Sequence, residues 1–235
     1  MSTEQRPYQC RVSAGPELDL ALTAYAALYG KAERTLFARL QSGGNLTDLK
    51  REFLPKFGIT ARQFNSLAAM VTGKVASIKE RRAGLITEAV HRIARAKAVL
   101  RKVKDPAKKH QKKRRLATLE ARLAALKADR DAGIVRLCFG SKKLFRAQFA
   151  LKENGYRSHK EWREDWMRAR DRQIFVIGSR DETAGCQSCV SSVQADGSID
   201  LKLRLPNAMA GSGKYIDLEG LKFNHGHDAI MAAIG

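Results

Sequence analysis

Residues 93–126 read IARAKAVLRKVKDPAKKHQKKRRLATLEARLAAL, and this stretch decides the architecture. Asp105-Pro106 interrupts it. Proline lacks an N–H and suits the first turn of a helix, and Asp105 stands where a side chain caps that turn. Beyond the break, Leu116, Leu119, Leu123 and Leu126 recur at three-four-three spacing. Before it, Val75, Ile78, Leu85, Ala89, Ile93, Ala96, Leu100 and Val103 form a stripe of helical period on a basic rod. Two apolar stripes joined by a tight turn predict an antiparallel helical hairpin.

Toward the N-terminus the pattern stays helical. Pro16 opens a helix with Leu18, Leu22, Tyr25 and Tyr29 on one face, continuing toward Leu40 and ended by Ser42-Gly43-Gly44. Asn45 is placed to cap a second helix, ended by Pro55 and Gly58, and Thr60 to cap a third carrying Phe64, Leu67 and Val71. Residues 45–73 therefore have the outline of a helix-turn-helix. Ahead of all these, Tyr8, Cys10 and Val12 alternate with polar neighbours as one short strand.

After Gly133 the composition turns β-branched and aromatic. Residues 134–139, 173–179 and 186–194 read as strands, and Asp196-Gly197 is a hairpin turn into the alternating Ile199, Leu201, Leu203 and Leu205. Residues 215–218 and 221–223 add two more. One helix interrupts them, begun by the capping box Ser158-x-x-Glu161 and carrying Trp162 and Trp166. The expected fold class is α+β. A small antiparallel β-barrel is built from the N-terminal strand (residues 1–15) and the C-terminal strands (134–235, with a helix near 158–171), and a helical lobe (16–133) is inserted between them.

The chain has 235 residues, 44% of them hydrophobic, which suffices for one large or two small packed domains. Forty-four Lys and Arg against 24 Asp and Glu give +20, and a polyanion relieves self-repulsion of that size. No stretch reaches the roughly 18 apolar residues of a membrane span. The polar N-terminal stretch lacks a signal peptide's apolar run, so the expectation is a cytoplasmic protein with reduced thiols. Residues 74–115 hold sixteen Lys and Arg against Glu80, Glu88 and Asp105, a local +13. A merely solvated helix face would intersperse both signs. The candidate phosphate contacts are Arg101, Lys102, Lys104, Lys108, Lys109, Lys112, Lys113, Arg114 and Arg115. A second basic group, Lys142, Lys143 and Arg146, follows Phe139-Gly140-Ser141, with Phe139 and Phe145 placed to pack or to stack. Arg180, in a polar loop, is a further candidate.

Catalytic and metal patterns are incomplete. Asp217 and Glu219 make an isolated Asp-x-Glu, whereas metal-dependent phosphodiester cleavage generally needs more carboxylates converging on the ions. Cys186-x-x-Cys189 offers two of the four ligands of a structural zinc, and His225 and His227 have no evident completing partner. Gly211-Ser212-Gly213-Lys214 has Tyr215 where a phosphate loop carries Ser or Thr. No metal, cofactor or catalytic residue is assigned.

VRLCFGSKKLFRAQF (135–149) resembles a block of the TnpB (OrfB) family of insertion-sequence proteins, and GSRDETAGCQSC (178–189), LKLRLP (201–206) and GKYIDLEGLKF (213–223) follow in the family's order. The resemblance implies an RNA-guided DNA endonuclease related to type V CRISPR effectors, with a wedge β-barrel gripping guide RNA and an inserted helical recognition lobe holding the guide–target heteroduplex. It implies wedge contacts for Lys142, Lys143 and Arg146. In the family a RuvC-like nuclease with an Asp, Glu, Asp site for magnesium and a four-cysteine zinc ribbon follow the wedge. The sequence to Gly235 reaches neither, so the expectation is a truncated, split or fragment member that binds without cutting. Whether it is an enzyme therefore stays open. The expected partners are RNA and DNA, with a separate nuclease chain a further candidate, in a ribonucleoprotein containing one copy. The competing readings are a helix-turn-helix regulator that reads duplex DNA through residues 60–73, and a non-functional transposase fragment.

Overall fold

A buried glutamine joins segments that lie far apart in the chain. Gln63, 2% exposed, accepts from the Thr60 backbone N–H (2.9 Å) through Oε1 and donates through Nε2 to the Tyr25 hydroxyl (3.0 Å) and the Arg204 carbonyl (3.0 Å). A buried amide is tolerated only when its donors and acceptors are satisfied, so these three bonds fix which elements meet. The computed structural model describes residues 7–178, 186–211 and 213–234. The order of elements is α1 (Pro16–Gln41), α2 (Leu46–Phe57), α3 (Ala61–Lys102), α4 (Pro106–Asp131), α5 (Lys142–Ala147), α6 (His159–Arg170), β1 (Cys189–Val193), β2 (Ile199–Arg204), β3 (Tyr215–Leu221) and α7 (His227–Ile234).

The expected caps are in place. Asn45 accepts from the Asp48 N–H (2.9 Å), and the Thr60 hydroxyl accepts from the Gln63 N–H (3.2 Å), completing a reciprocal box with the Gln63 amide. Pro55 lies inside the last turn of α2 and does not end it; Gly58 does, at φ +56°. A Cβ at Gly58 would also lie 2.5 Å from that of Ala208, so this turn admits only glycine. Ser158 accepts from the Glu161 N–H (3.2 Å), while Glu161 reaches back to the Arg157 N–H (2.9 Å), one residue before the expected partner.

The chain forms two compact units, Met1–Ala69 with Phe139–Gly235, and Met70–Cys138. These differ from the expected boundaries near 15 and 133. In the first unit α1, α2 and the start of α3 pack Tyr25, Tyr29, Leu36, Leu49, Phe53, Phe64 and Leu67 into a core, with Phe53 edge-on to Phe64 at 5.7 Å. Residues beyond 139 are tied to these helices. The Tyr29 hydroxyl donates to the Phe175 carbonyl (2.8 Å), Ser66 accepts from the Ile177 N–H (3.1 Å), and Arg34 pairs with Asp171. Burial, opposed by the Gln63 bond, pushes the Tyr25 hydroxyl up to about 12.

The fold is mixed α+β and mostly helical, with one open antiparallel sheet of order β1-β2-β3. Cys189 faces Leu203 and Val193 faces Ile199 across the first pair. The two strands expected at 215–218 and 221–223 are one strand, β3, whose register against β2 shifts where Asp200 accepts from the Gly220 N–H (2.8 Å). The closed barrel is absent among the described residues. Residues 8–13, 134–139 and 173–178 are not in strands. In the last of these segments, carbonyl and amide groups that a ladder would need are held by Tyr29 and Ser66, and at 134 the carbonyl accepts from the buried Arg82 guanidinium.

The second unit contains the expected hairpin. α3 is continuous through Gly73 and Gly84, and both positions face open space. Its Ala89 and Ile93 are buried, whereas Leu116, Leu119, Leu123 and Leu126 of α4 are half-buried. Lys97 pairs with Glu120 (3.0 Å), and farther from the turn Arg82 meets Ile134, the order an antiparallel pair requires. Arg136 clasps Asp129 through two bonds (2.7 and 2.9 Å), which hold that carboxyl below its usual range. Among the described residues no helix is long and apolar enough to cross a membrane.

Changing Gln63 to Leu leaves the Tyr25 hydroxyl, the Thr60 N–H and the Arg204 carbonyl without their partner. The expected loss is about 3 kcal/mol in denaturant unfolding, against about 1 kcal/mol for Thr60→Ala. A Gln63→Leu protein no less stable than Thr60→Ala would show that the junction does not hold the first unit together.

Candidate nucleic-acid interface

The tip of the α3–α4 hairpin is built by a cap and a proline. Asp105 Oδ1 accepts from the Lys108 N–H (2.8 Å), the Asp105 carbonyl accepts from the Lys109 N–H (2.9 Å), and Pro106 occupies the first helical position. Three residues, 103–105, make the turn. All nine cations predicted here, Arg101, Lys102, Lys104, Lys108, Lys109, Lys112, Lys113, Arg114 and Arg115, are exposed and sit together on this tip.

The electrostatics of the tip are one-sided. From Ala89 to Leu119 there are twelve Lys and Arg and a single acid, Asp105, whose carboxylate is spent on the cap. Glu120 is engaged by Lys97, and Glu88 by Arg92 at 3.5 Å. Lys108 and Lys109 lie in the first turn of α4, where the helix dipole already presents its positive end. Lys108 stands four residues before Lys112, and Lys109 four before Lys113, a spacing at which like charges repel. Each of these placements costs a few tenths of a kcal/mol, and an anion beside the tip offsets that repulsion with attraction of its own.

Between the two helices lies a cleft of about 250 Å³ lined by Arg92, Arg95, Lys112 and Arg115 over Ala96, Val99 and Leu119. Among the described residues no acid lines it. Four cations over an apolar floor suit a phosphate oxygen at the rim and the sugar or base edge attached to it beneath. Sequence reasoning alone does not single out Arg92 and Arg95. A signal for them exists: Arg92, Arg95 and Val99 have the same three-four spacing as Lys112, Arg115 and Leu119, which places a matching triplet on each helix.

Lys142, Lys143 and Arg146 are exposed on α5 in the first unit. The sequence suggests the exit of a strand at this point; α5 is instead a six-residue helix capped by Ser141, which accepts from the Leu144 N–H (3.3 Å). Gly140 has φ +84°, and a Cβ there would come within 3.3 Å of the Trp166 ring, so glycine lets the chain enter α5 against α6. Phe139 packs against Phe37 at 5.6 Å. Arg180, and with it Asp181 and Glu182, lies outside the described residues.

The other candidate groups have structural surroundings. Asp217 faces Lys202 at 3.9 Å, and His227, at the start of α7, meets the Gly197 carbonyl through Nε2 at 2.8 Å. Cys186 and Cys189 are half-buried free thiols, and burial pushes Cys189 up. Among the described residues no three His, Cys, Asp or Glu side chains are grouped to hold a metal. Of residues 61–73, Gln63, Ser66 and most apolar side chains are buried, and the exposed strip is Ala61, Asn65, Ala69, Thr72 and Gly73. Arg62 is half-buried beside that strip, and Lys50 donates to Asn65 (3.0 Å), so it carries few cations compared with the hairpin tip. A comparison with family models, with curated proteins and with solved structures finds no match to this chain.

Replacing Lys108, Lys109, Lys112 and Lys113 together by alanine should weaken duplex binding and flatten its salt dependence, by about 0.9 in the slope of log K against log salt for each phosphate no longer neutralised. The same protein should melt no lower than the parent, because helix repulsion is relieved. Unchanged affinity with a lower melting temperature would make these lysines structural.

Proposed function

We propose that this chain is a nucleic-acid-binding protein whose principal contact is the tip of the α3–α4 hairpin. One observation carries the reading: of twelve exposed cations between Ala89 and Leu119, Arg92 and Lys97 pair with the flanking Glu88 and Glu120, and the single acid within the stretch, Asp105, is committed to a helix cap, which leaves a large cationic excess. A solvated face has no use for such an imbalance, whereas a phosphate backbone neutralises it with release of counterions.

More specifically, we propose that it is the guide-RNA- and target-DNA-holding portion of a TnpB-like RNA-guided endonuclease. The four stretches at 135–149, 178–189, 201–206 and 213–223, which resemble wedge blocks in family order, support this. In this reading the open three-stranded sheet stands in the place of the wedge and the hairpin belongs to the recognition lobe. The backbone of an RNA–DNA heteroduplex suits the tip, since long flexible lysines contact phosphates without reading bases. The blocks that carry the resemblance are holding elements, so the reading covers binding and leaves the magnesium-dependent cleavage of the family to other residues.

The test is to sequence the RNA that co-purifies with the tagged chain from its native host, with washes at moderate and at high salt. One dominant structured RNA encoded beside the gene, retained at moderate salt, is the expected result. A random mixture lost at high salt would reduce the function to non-specific polyanion binding, and recovery of one duplex DNA sequence without RNA would favour a regulator.

A further inference from the structure

We infer that α5 and the turn after it form a stacking platform for unpaired nucleotides, with Phe145 and Phe149 as the base-binding rings. This deepens the nucleic-acid reading and rests on it, but it concerns a different unit of the chain and a different property of the ligand, its strandedness. The observation is an aromatic series that runs from the interior outward. Trp162 is 9% exposed and its Nε1 donates to the Leu144 carbonyl at 2.7 Å, which fixes α5 on α6. Trp166 stacks on Trp162 with centroids 6.1 Å apart and planes 13° off parallel. Phe145 lies 5.4 Å from Trp166, and Phe149, 77% exposed, stands edge-on to Phe145 at 6.3 Å.

Burial explains the inner rings and leaves the outer ones unexplained. Phe149, 77% exposed, gains little from folding, and beside the half-exposed Phe145 it makes a small apolar patch open to an occupant. The chemistry around the patch indicates which. Lys142, Lys143 and Arg146 are exposed on the same helix, and the sequence from Ile134 to Lys152 contains no acid. Aromatic faces interleaved with unopposed cations match a ligand that offers π-faces on an anionic backbone. A protein partner would have to bring both an acidic and an apolar surface, and a membrane would meet only two rings.

The ring geometry selects single strands. Phe145 and Phe149 are 82° apart in orientation, so bases stacking on both cannot stay stacked on each other. Unpaired nucleotides splay at little cost, whereas a duplex keeps its base faces covered. The hairpin tip, by contrast, makes no such demand, since lysines contact a phosphate backbone in either form. The two surfaces therefore predict separable behaviour.

The experiment uses the full chain, an oligouridine that does not pair with itself, and an RNA duplex of equal length. The protein has two tryptophans, both in the aromatic series, so intrinsic fluorescence reports on this site. Oligouridine should change the tryptophan emission. Phe149→Leu, which keeps an apolar side chain and removes the ring, should lower affinity for oligouridine about tenfold and leave duplex affinity as it was. Phe149→Tyr should behave like the parent. Phe149 is exposed, so none of these variants should unfold the protein, and unchanged circular dichroism checks this. If Phe149→Leu keeps both the affinity and the emission change, or if Phe149→Tyr loses them, the platform is overturned. The four-lysine alanine variant of α4, tested in parallel, separates the two proposals. If it binds duplex like the parent while Phe149→Leu still loses oligouridine, the hairpin reading fails and the platform stands. If the parent binds neither ligand, both fail.

Discussion

The first unit depends on one satisfied amide. Gln63 has every hydrogen-bonding group accounted for by partners drawn from α1, from its own helix start and from the end of β2, and none of these can be shifted without leaving a buried group unpaired. The apolar core of Tyr25, Tyr29, Phe53, Phe64 and Leu67 supplies most of the driving force, but apolar contacts are tolerant of exchange among partners. Directional bonds at Gln63, at Ser66 to Ile177 and at Tyr29 to Phe175 make the assembly specific. They also account for the sheet having three strands. A backbone carbonyl that already accepts from a tyrosine hydroxyl, and an amide that already donates to a serine, are poor templates for a further ladder.

The second unit is organised by the opposite constraint, a lack of compensation. α4 has half-buried leucines and, among the described residues, no fully buried side chain, and its first two turns carry like charges in repelling positions. Such a helix is held by a modest apolar seam and by a few pairs such as Lys97–Glu120 and Arg136–Asp129. A ligand that binds the folded form adds stability by mass action, and one that is polyanionic also removes the internal repulsion. Stability and binding in this unit are thus the same electrostatic quantity seen from two sides.

Much of the helical fold was legible in the sequence because capping chemistry is local. Asn45, Thr60, Asp105 and Ser158 each do what their side chains permit at a helix start. The Asp105-Pro106 break and the leucine spacing sufficed for the hairpin. The strands were harder, since alternation says that one face is covered and nothing about which groups pair with the backbone; residues 8–13, 134–139 and 173–178 show the difference. α5 was too short to display a period. The unbroken course of α3 through Gly73 and Gly84 was hidden because a helical glycine costs only about 1 kcal/mol, which flanking turns readily offset. Of the candidate site, the run at 101–115 needed only counting. Arg92 and Arg95 needed the hairpin first, because they acquire meaning only opposite Lys112 and Arg115. Phe149 had no signal in its own right: an aromatic residue in sequence is read as core until its exposure is seen.

In the proposed reading the two surfaces divide the labour, with backbone contact falling to α3 and α4 and base stacking to α5 and its flank. The claim at the centre is that the hairpin carries the binding. It is tested most directly by crosslinking the chain to its bound RNA with ultraviolet light and mapping the attached peptides by mass spectrometry. Crosslinked peptides from residues 92–119 are the expected result. Crosslinks confined to residues 60–73, with the hairpin peptides unmodified and freely cleaved by trypsin in the complex, would contradict it.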